Sequence, residues 1–217
     1  MRYLVVLFFC FGVSAQTLNP GNSFFVAGVL KPAAAGGGGG QTVSDDFNRA
    51  DNADLGANWT VVSGESTWTI NGNTAIPSST VADCTERYSG VSWTDNQSSE
   101  ANATAGGSSA GAGPGVAVRC ASGARTFYRL VIDNAGNWEM GKMVAGTFTS
   151  LATGTTTYSA GALIKLSAIG TTITSTYNGS QIDSRTDSSI SSGSPGVSYS
   201  SFITTPSLDN WVGRDGL

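Results

Sequence analysis

The sequence DDFNRADNADLGANWT, at residues 45–60, opens a long run of short alternating segments, and LDNWVG, at residues 208–213, closes it. Between these two stretches, turn residues return about every eight to twelve positions. Gly, Ser and Thr dominate where a helix would favour Ala, Leu, Glu and Lys. The pattern predicts an all-β domain of about a dozen short strands, which is typical of a two-sheet antiparallel sandwich or jelly roll.

Turn chemistry predicts three hairpins. Two Asn-Gly pairs, at residues 71–72 and 178–179, are strong hairpin signals because both turn positions need a positive φ. A third hairpin is expected where residues 127–132 run into a polar turn and return as residues 138–143. The other predicted strands are Arg87–Trp93, Ser98–Thr104, Gly115–Arg119, Leu163–Ile169, Gly196–Tyr199 and Leu208–Val212.

Composition limits the size of the core and the classes of partner. The chain has 217 residues, of which 40% are hydrophobic and 12% charged, and this suits one sizeable core. The formal net charge is -4 and the pI is near 4.6. The few basic residues are scattered along the chain, so the basic patch of a nucleic-acid-binding protein is missing from the sequence. We therefore expect no nucleic-acid partner.

The first fifteen residues have the pattern of an export signal. Arg2 supplies a positive charge, residues 4–13 are apolar, and small residues precede a cleavage point after Ala15. Ten apolar residues are too few to span a bilayer, so we expect no transmembrane segment. The alternative is an N-terminal anchor that stays attached. Either way, the sequence predicts a secreted protein, outside the cell or on a particle surface.

Residues 16–44 form a second region. Phe24–Leu30 is a short apolar segment, and the Ala- and Gly-rich stretch that follows it, with five glycines at 36–40, has no reason to form regular structure. One interpretation is a docking segment on a flexible tether, through which the chain attaches to a partner or to itself. The other is a plain linker. The globular domain is expected at residues 45–217.

Several motifs resemble bacterial and phage members of the concanavalin A-like lectin/glucanase superfamily. Besides the opening and closing stretches, they are YSGVSW at 88–93, NQ at 96–97, SEA at 99–101, GVAVR at 115–119 and SGSPGV at 192–197. The resemblance covers residues 45–213. It implies two stacked antiparallel sheets whose first and last strands lie side by side. Many members are carbohydrate-binding modules or laminin G-like adhesion domains, and some are glycosidases.

The residues argue against the glycosidase branch. Glucanases of that superfamily carry two glutamates and an aspartate alternating along one strand, because retaining hydrolysis needs two carboxyl groups on one face. The glutamates here, at positions 65, 86, 100 and 139, each stand without a second acidic residue two or four positions later. The chain also has no histidine to serve a nucleophile. We expect no catalytic activity.

Two cysteines remain once Cys10 leaves with the signal. Cys84 and Cys120 lie in an exported chain, where a disulfide between them is expected to stabilise the domain. The alternative is two separate thiols. Two cysteines without histidine cannot complete a zinc site.

Aromatic residues are candidates for a sugar-binding surface, because sugar rings stack on flat aromatic faces. Trp93 is the preferred candidate, since the polar residues Asp95, Asn96 and Gln97 follow it directly. Tyr88 and Trp138 are further candidates. The alternative is that Trp93 and Trp138 are core residues, which is the interpretation we give to Trp59, Trp68 and Trp211.

A structural calcium ion is the other site hypothesis. Asp46, in an acidic stretch that also holds Asp45, Asn48, Asp51 and Asp54, could meet Asp209 and Asn210 if the terminal strands pair. The resemblance implies such an ion near paired termini. The alternative is that these side chains cap turns and face solvent.

Two functions from different classes follow. The first is a secreted or surface-exposed non-catalytic module that binds carbohydrate, such as a cell-surface glycan, or mediates adhesion. The second is a structural or receptor-binding protein of a virion or extracellular filament, docked through Phe24–Leu30. The sequence requires no cofactor for either function.

Overall fold

The computed structural model describes residues 40–79, 81–104, 111–200 and 206–217, and within these ranges the chain forms strands and turns without a helix. The expected signal, the apolar segment Phe24–Leu30 and nearly all of the linker lie outside the described residues. The strands are β1 (Thr42–Asp45), β2 (Trp59–Val61), β3 (Trp68–Asn71), β4 (Thr74–Pro77), β5 (Cys84–Tyr88), β6 (Gln97–Thr104), β7 (Gly113–Cys120), β8 (Phe127–Ile132), β9 (Asn137–Val144), β10 (Thr147–Thr155), β11 (Ala162–Ile169), β12 (Thr172–Tyr177), β13 (Ser180–Thr186), β14 (Ser194–Ser200) and β15 (Ser207–Asp215).

These strands form two antiparallel sheets. The first sheet has the order β13-β12-β11-β6-β15-β4-β3, with β1 added on β15, and the second has the order β10-β9-β8-β7-β14-β5-β2. The first and last strands pair, with Asp45 opposite Trp211. This confirms the predicted two-sheet antiparallel jelly-roll sandwich and the pairing of its terminal strands.

The main core lies between the sheets. Alternate residues of the central strands point into it, among them Val116, Val118 and Leu130 from the second sheet and Ile164 and Leu166 from the first. The expected packing tryptophans are also there, since the exposed fractions of Trp59, Trp68 and Trp211 are 7%, 0% and 0%. The buried indole N–H of Trp211 donates a hydrogen bond to Ser99 at 2.8 Å.

All three predicted hairpins are present. The hairpin β12–β13 turns on Asn178 and Gly179, both with positive φ. In β3–β4 the two turn residues are Gly72 and Asn73, one position later than the predicted pair. The third hairpin pairs β8 with β9. Strand β10 was not predicted, because its Thr-rich sequence is mostly exposed and has few apolar residues to mark a buried face.

The predicted strand Arg87–Trp93 is wrong in its second half. Strand β5 ends at Tyr88, and the indole N–H of Trp93 donates to the Tyr88 carbonyl at 3.0 Å. This bond holds residues 89–93 against the end of the strand. Val91 and Trp93 alternate as in a strand but belong to a loop.

The predicted disulfide is also wrong, because Cys84 and Cys120 are both buried free thiols. Strand β14 lies between their strands, with Tyr199 opposite Cys84 and Ser194 opposite Cys120. Those two β14 positions are about 16 Å apart along the strand at roughly 3.3 Å per residue, whereas a disulfide needs Cα atoms within about 7 Å.

None of the described residues belongs to a helix that is both long and apolar enough to cross a membrane.

Candidate functional site

An open cleft of about 530 Å³ lies where β5 and β7 end and β14 begins. We call it the Trp93 cleft. Its lining is polar apart from a few apolar groups, and consists of Arg87, Ser89, Val91, Ser92, Trp93, Cys120, Ala121, Ser122, Ser192, Gly193 and Ser194.

The floor of the cleft is built by adjacent strands of the second sheet. Strand β14 pairs with β5 on one side and β7 on the other, which brings Arg87, Ser194 and Cys120 together. Cys120 belongs to a small second cluster with Ala117, on the sheet face opposite the main core. The cleft therefore opens on the outer face of the second sheet, away from the sandwich interior.

Trp93 borders the cleft as the last ring of an aromatic series. Trp59 contacts Trp211 edge-on, with ring centroids 4.7 Å apart, and Tyr88 stacks on Trp211 at 5.4 Å. Trp93 then meets Tyr88 edge-on at 6.2 Å. Trp93 is half-buried and its indole N–H is bonded to the backbone, so its position is fixed while the residue keeps some contact with solvent.

The polar residues after Trp93 do not join it in the cleft. Gln97 is fully buried, and its amide donates to the carbonyls of Thr94 and Gly193 at 3.0 and 2.9 Å. Asn96 accepts a hydrogen bond from the Gly170 N–H at 2.8 Å. These two amides therefore hold loops together, and the expectation that Gln97 faces a ligand is corrected by its burial.

Asp95 and Asn96 border a second, smaller cleft of about 310 Å³. The predicted sugar-binding residues thus border two different clefts, Trp93 the first and Asp95 and Asn96 the second. Tyr88 lies beneath Trp93 and is half-buried. Trp138 is 6% exposed and packs in the main core, close to Gly154, so it does not present a stacking face.

Arg119 organises the loops on which both clefts depend. Its guanidinium donates to the carbonyls of Asp95, Gly170 and Ile190 at 3.1, 2.7 and 2.8 Å. The backbone N–H of Arg119 donates to the side-chain amide oxygen of the buried Gln97 at 3.0 Å. Sequence reasoning missed this residue, because its partners are loop carbonyls 24 to 71 positions away and carry no pattern of their own.

Arg87 was also missed as a site residue, since it falls inside a predicted strand. Its Nε atom is buried and has no hydrogen-bond partner. Among the described residues, no carboxylate forms an ion pair with it, although the side chain borders the Trp93 cleft. The cleft therefore has an uncompensated cation in its wall.

Elsewhere on the same sheet face, charges are paired. Arg125 bridges Glu65 and Asp83, and Arg129 binds the same Asp83 at 3.3 Å. The Glu65 side chain is fully buried, and burial raises its pKa above the ordinary value although the Arg125 guanidinium acts in the opposite direction. Glu65 and Asp83 thus lie close together although the sequence did not connect them, and arginine pairs with both.

Two other glutamates have structural partners. Glu86 is buried and accepts hydrogen bonds from the Thr67 hydroxyl at 2.6 Å and the Trp68 N–H at 2.7 Å, and burial raises its pKa. Glu100 is paired with Arg214 at 2.6 Å. Both carboxylates thus link different strands of the sandwich.

A calcium ion at the paired termini stays a prediction. Asp46 and Asn210 border a small opening of about 160 Å³ beside the paired termini. Asp45, which also borders it, binds the Arg49 guanidinium at 2.6 Å. Asp209 accepts a hydrogen bond from the next backbone N–H, as a turn cap does. Within the described ranges, no group of three or more His, Cys, Asp or Glu residues is placed to hold a metal ion.

Comparison with known proteins gives matches in structure but not in sequence. No family model matches the chain, and no curated protein sequence matches it. The carbohydrate-binding module CBM66 from Bacillus subtilis has a TM-score of 0.55 and 16% identity, over 75% of this chain and 94% of that one. The β-glucanase of Bacillus licheniformis has a TM-score of 0.53 and 12% identity, over 80% of this chain and 97% of that one.

A third similar structure is the CBM2 module of the evolved Dit of Lactobacillus casei BL23 phage J-1. Its TM-score is 0.50 at 15% identity, over 80% of this chain and 95% of that one. The similar structures thus include both binding modules and a glucanase, so they leave open whether this chain is catalytic. Their shared architecture and the paired terminal strands show that the chain has the concanavalin A-like jelly-roll fold that the sequence predicts.

Proposed function

We propose that this chain is a non-catalytic carbohydrate-binding module of an exported protein, and that the sugar binds in the Trp93 cleft. The observation that carries the proposal is the cleft itself. It combines a partly exposed indole with serine hydroxyls and a guanidinium in about 530 Å³. An aromatic face can stack on the C–H face of a sugar ring, while hydroxyls and a guanidinium can bond its oxygens.

Two features support a site that is formed before the ligand arrives. The Trp93 indole is held by its bond to the Tyr88 carbonyl, and Gln97 holds the loop of Gly193 on the opposite side. A wall that is already ordered loses little conformational freedom when it binds a ligand. The similarity to CBM66 supports the same function at the level of the fold.

The non-catalytic part of the proposal rests on the carboxylates. No Asp or Glu is among the described residues that line the Trp93 cleft. Glu65, Glu86 and Glu100 are engaged by arginine, backbone or hydroxyl partners. Retaining or inverting hydrolysis needs two carboxyl groups facing the glycosidic bond.

A glycan array probed with the full chain tests the proposal. We expect binding to at least one class of glycan and a loss of about three- to tenfold in affinity for Trp93→Ala, since contact with an aromatic ring contributes about 0.5 to 1.5 kcal/mol. Phe148→Ala removes another partly exposed aromatic ring, outside the cleft, and is the matched control. Release of reducing ends from a bound glycan would overturn the non-catalytic assignment.

The second candidate is a docked structural or receptor-binding protein of a virion or filament. The observation in its favour is the similarity to a module of a phage Dit. The two candidates differ in what the N-terminal region does. N-terminal sequencing that finds Gln16 as the first residue of a monomer supports the secreted module, whereas assembly that requires Phe24–Leu30 supports the docked protein.

A further inference from the structure

We infer that the Trp93 cleft selects a sugar that carries an anionic group, a carboxylate or a sulfate, and that Arg87 is the residue that binds this group. The inference rests on the proposed function, because it names the class of sugar that the same cleft accepts. It goes further than that function, since a stacking ring and hydroxyls alone would serve neutral sugars equally well.

Nine lysine and arginine side chains lie in the described ranges. Seven of the nine form ion pairs with carboxylates, namely Arg49, Arg125, Arg129, Lys142, Lys165, Arg185 and Arg214. Arg119 instead donates to three backbone carbonyls. Within these ranges, Arg87 is alone in having neither a carboxylate nor a hydrogen bond to its guanidinium. Its charge is thus left for something outside the protein.

Arg87 lacks a partner for its charge among the described residues of the protein. The Arg87 Nε atom has lost contact with water and gains no protein partner in return. Because Arg87 borders the open cleft, a ligand there can supply the acceptors that the protein does not, and a charged acceptor binds a guanidinium more strongly than a neutral one.

The other described residues that line the cleft carry no charge. The whole chain has a formal net charge of -4, which repels anions in general. Nevertheless, the residues around Arg87 in the cleft are neutral: serines, glycine, alanine, valine, tryptophan and a buried cysteine. An anion that reaches the cleft meets one cation and no nearby lining carboxylate. This arrangement favours a single anionic group placed beside the stacking ring.

The geometry of the guanidinium fits both anions. Its planar N–H fork matches the two oxygens of a carboxylate or sulfate, and neighbouring hydroxyls such as those of Ser194 and Ser122 can donate to the same group. Because Arg87 and Trp93 border one cleft, a sugar ring stacked on the indole can place its charged substituent toward the arginine.

Matched pairs of oligosaccharides test the inference by calorimetric titration of the full chain. One pair is an oligogalacturonate and its methyl ester, and the other is a sulfated galactan oligosaccharide and its desulfated form. We expect at least one charged member to bind about tenfold or more tightly than its neutral partner, since a hydrogen bond to a charged group contributes about 1.5 to 3 kcal/mol. The pair that shows the difference identifies the anion.

Variants assign the effect to Arg87. Arg87→Gln should lose the preference for the charged sugar while its affinity for the neutral partner is unchanged, and Trp93→Ala should weaken binding of both. Arg185→Gln removes the same charge from an exposed position and should change neither. Arg87→Lys keeps the charge without the fork and should give an intermediate preference, which provides a second variant if Arg87→Gln does not fold.

The outcomes separate the two proposals. Equal binding of charged and neutral sugars, with Arg87→Gln without effect, overturns the anionic preference and leaves the carbohydrate-binding function standing. Binding of no sugar by the folded wild-type chain overturns the function itself. A preference for the charged sugar that survives in Arg87→Gln shows that the anion binds elsewhere and overturns the role of Arg87.

Discussion

Arg87 and Arg129 lie on one cross-strand row of the second sheet and have opposite surroundings. The row runs from Arg87 through Gly196 and Ala117 to Arg129. Residues directly opposite each other in neighbouring antiparallel strands point to the same face. The two arginines thus share a face and a register, and differ in what lies around them.

The Arg129 side chain is 4% exposed and has several partners. It pairs with Asp83, donates to Ser200 at 3.0 Å, and lies over the Phe148 ring at 4.5 Å. Arg87 has none of these and faces the Trp93 cleft instead. A buried cation needs partners in the protein. A cation that borders an open cleft does not, and it remains available to a ligand. The two arginines therefore differ in their surroundings: Arg129 is paired inside the protein, and Arg87 borders the cleft.

Gly196, which lies between the two arginines, provides the strongest test of this shared row. A Cβ at this position would lie 2.0 Å from the Glu86 carbonyl oxygen, so Gly196→Ala must push β14 away from β5. We expect a loss of about 3 kcal/mol in the free energy of unfolding, measured by urea denaturation. Sugar binding should be lost as well, because the floor of the cleft moves.

Gly123→Ala is the matched control for that substitution. A Cβ there meets nothing within 4 Å, and the backbone lies outside the left-handed region. Its effect on the free energy of unfolding should stay within about 0.5 kcal/mol. Equal losses for the two variants would contradict the close contact between β14 and β5.

Replacing each arginine by methionine separates the two kinds of surroundings. Arg129→Met breaks a buried ion pair and should cost about 3 kcal/mol of unfolding free energy. Arg87→Met breaks no ion pair and should cost less than about 1 kcal/mol, while it removes the preference for charged sugars. Urea denaturation of both variants checks the prediction. A larger loss for Arg87→Met than for Arg129→Met would reverse the assignment of structural and binding roles.

The pH dependence of stability should also differ between the two regions. Burial raises the folded-state pKa of Glu65, in the network of Arg129, above its ordinary value of 4.5. The folded state therefore holds this proton more tightly than the unfolded state. The stabilisation is fully present below the unfolded pKa and is lost as the pH rises through the folded pKa.

Glu65→Gln removes this titration. We expect the stability of the wild type relative to this variant to fall as the pH rises from about 4 toward neutrality, as measured by urea denaturation at each pH. Arg87→Met should keep the wild-type pH profile, because no carboxylate is among the described residues that line its cleft. A constant difference between wild type and Glu65→Gln would count against the raised pKa.

The smallest expected effect concerns the two thiols. Cys120 belongs to the floor of the Trp93 cleft but is 1% exposed, and burial raises its pKa. Burial raises the pKa of Cys84 to about 11. Since the thiolate is the reactive form, neither should react with iodoacetamide in the native protein at neutral pH.

Both thiols should react after unfolding without a reductant, and peptide mapping locates the label on each cysteine. If labelling of the unfolded protein required a reductant, Cys84 and Cys120 would be joined by a disulfide, which contradicts the fold. Fast native labelling of Cys120 alone would show that the floor of the cleft opens to solvent.

Local patterns were sufficient for the predictions that came true. The Asn-Gly pairs marked two hairpins because a positive φ at adjacent positions is a property of the turn residues themselves. The opening and closing stretches marked the paired termini through the resemblance that they carry. Trp59, Trp68 and Trp211 were assigned to the core because large apolar rings in alternating segments are usually buried.

The candidate site could be predicted only in part. Trp93 borders a cleft, but the polar residues that follow it, Asp95, Asn96 and Gln97, are not among those that line this cleft. The side-chain amides of Gln97 and Asn96 bond distant loops. Arg87 and Ser194 come from β5 and β14, which are far apart in sequence and pair in the second sheet. The choice of Trp93 stays a prediction, and proximity in sequence did not identify Arg87 or Ser194 as the residues that share its cleft.

The amino-acid sequence by itself determined the strand-rich class, the hairpin turns and the buried tryptophans, because these depend on residue spacing and on local backbone preference. Only the tertiary structure decided which arginine is paired, which thiols stay apart and which loops enclose the cleft. Those outcomes depend on contacts between residues up to a hundred or so positions apart. Sheet order creates such contacts, and no local pattern encodes them.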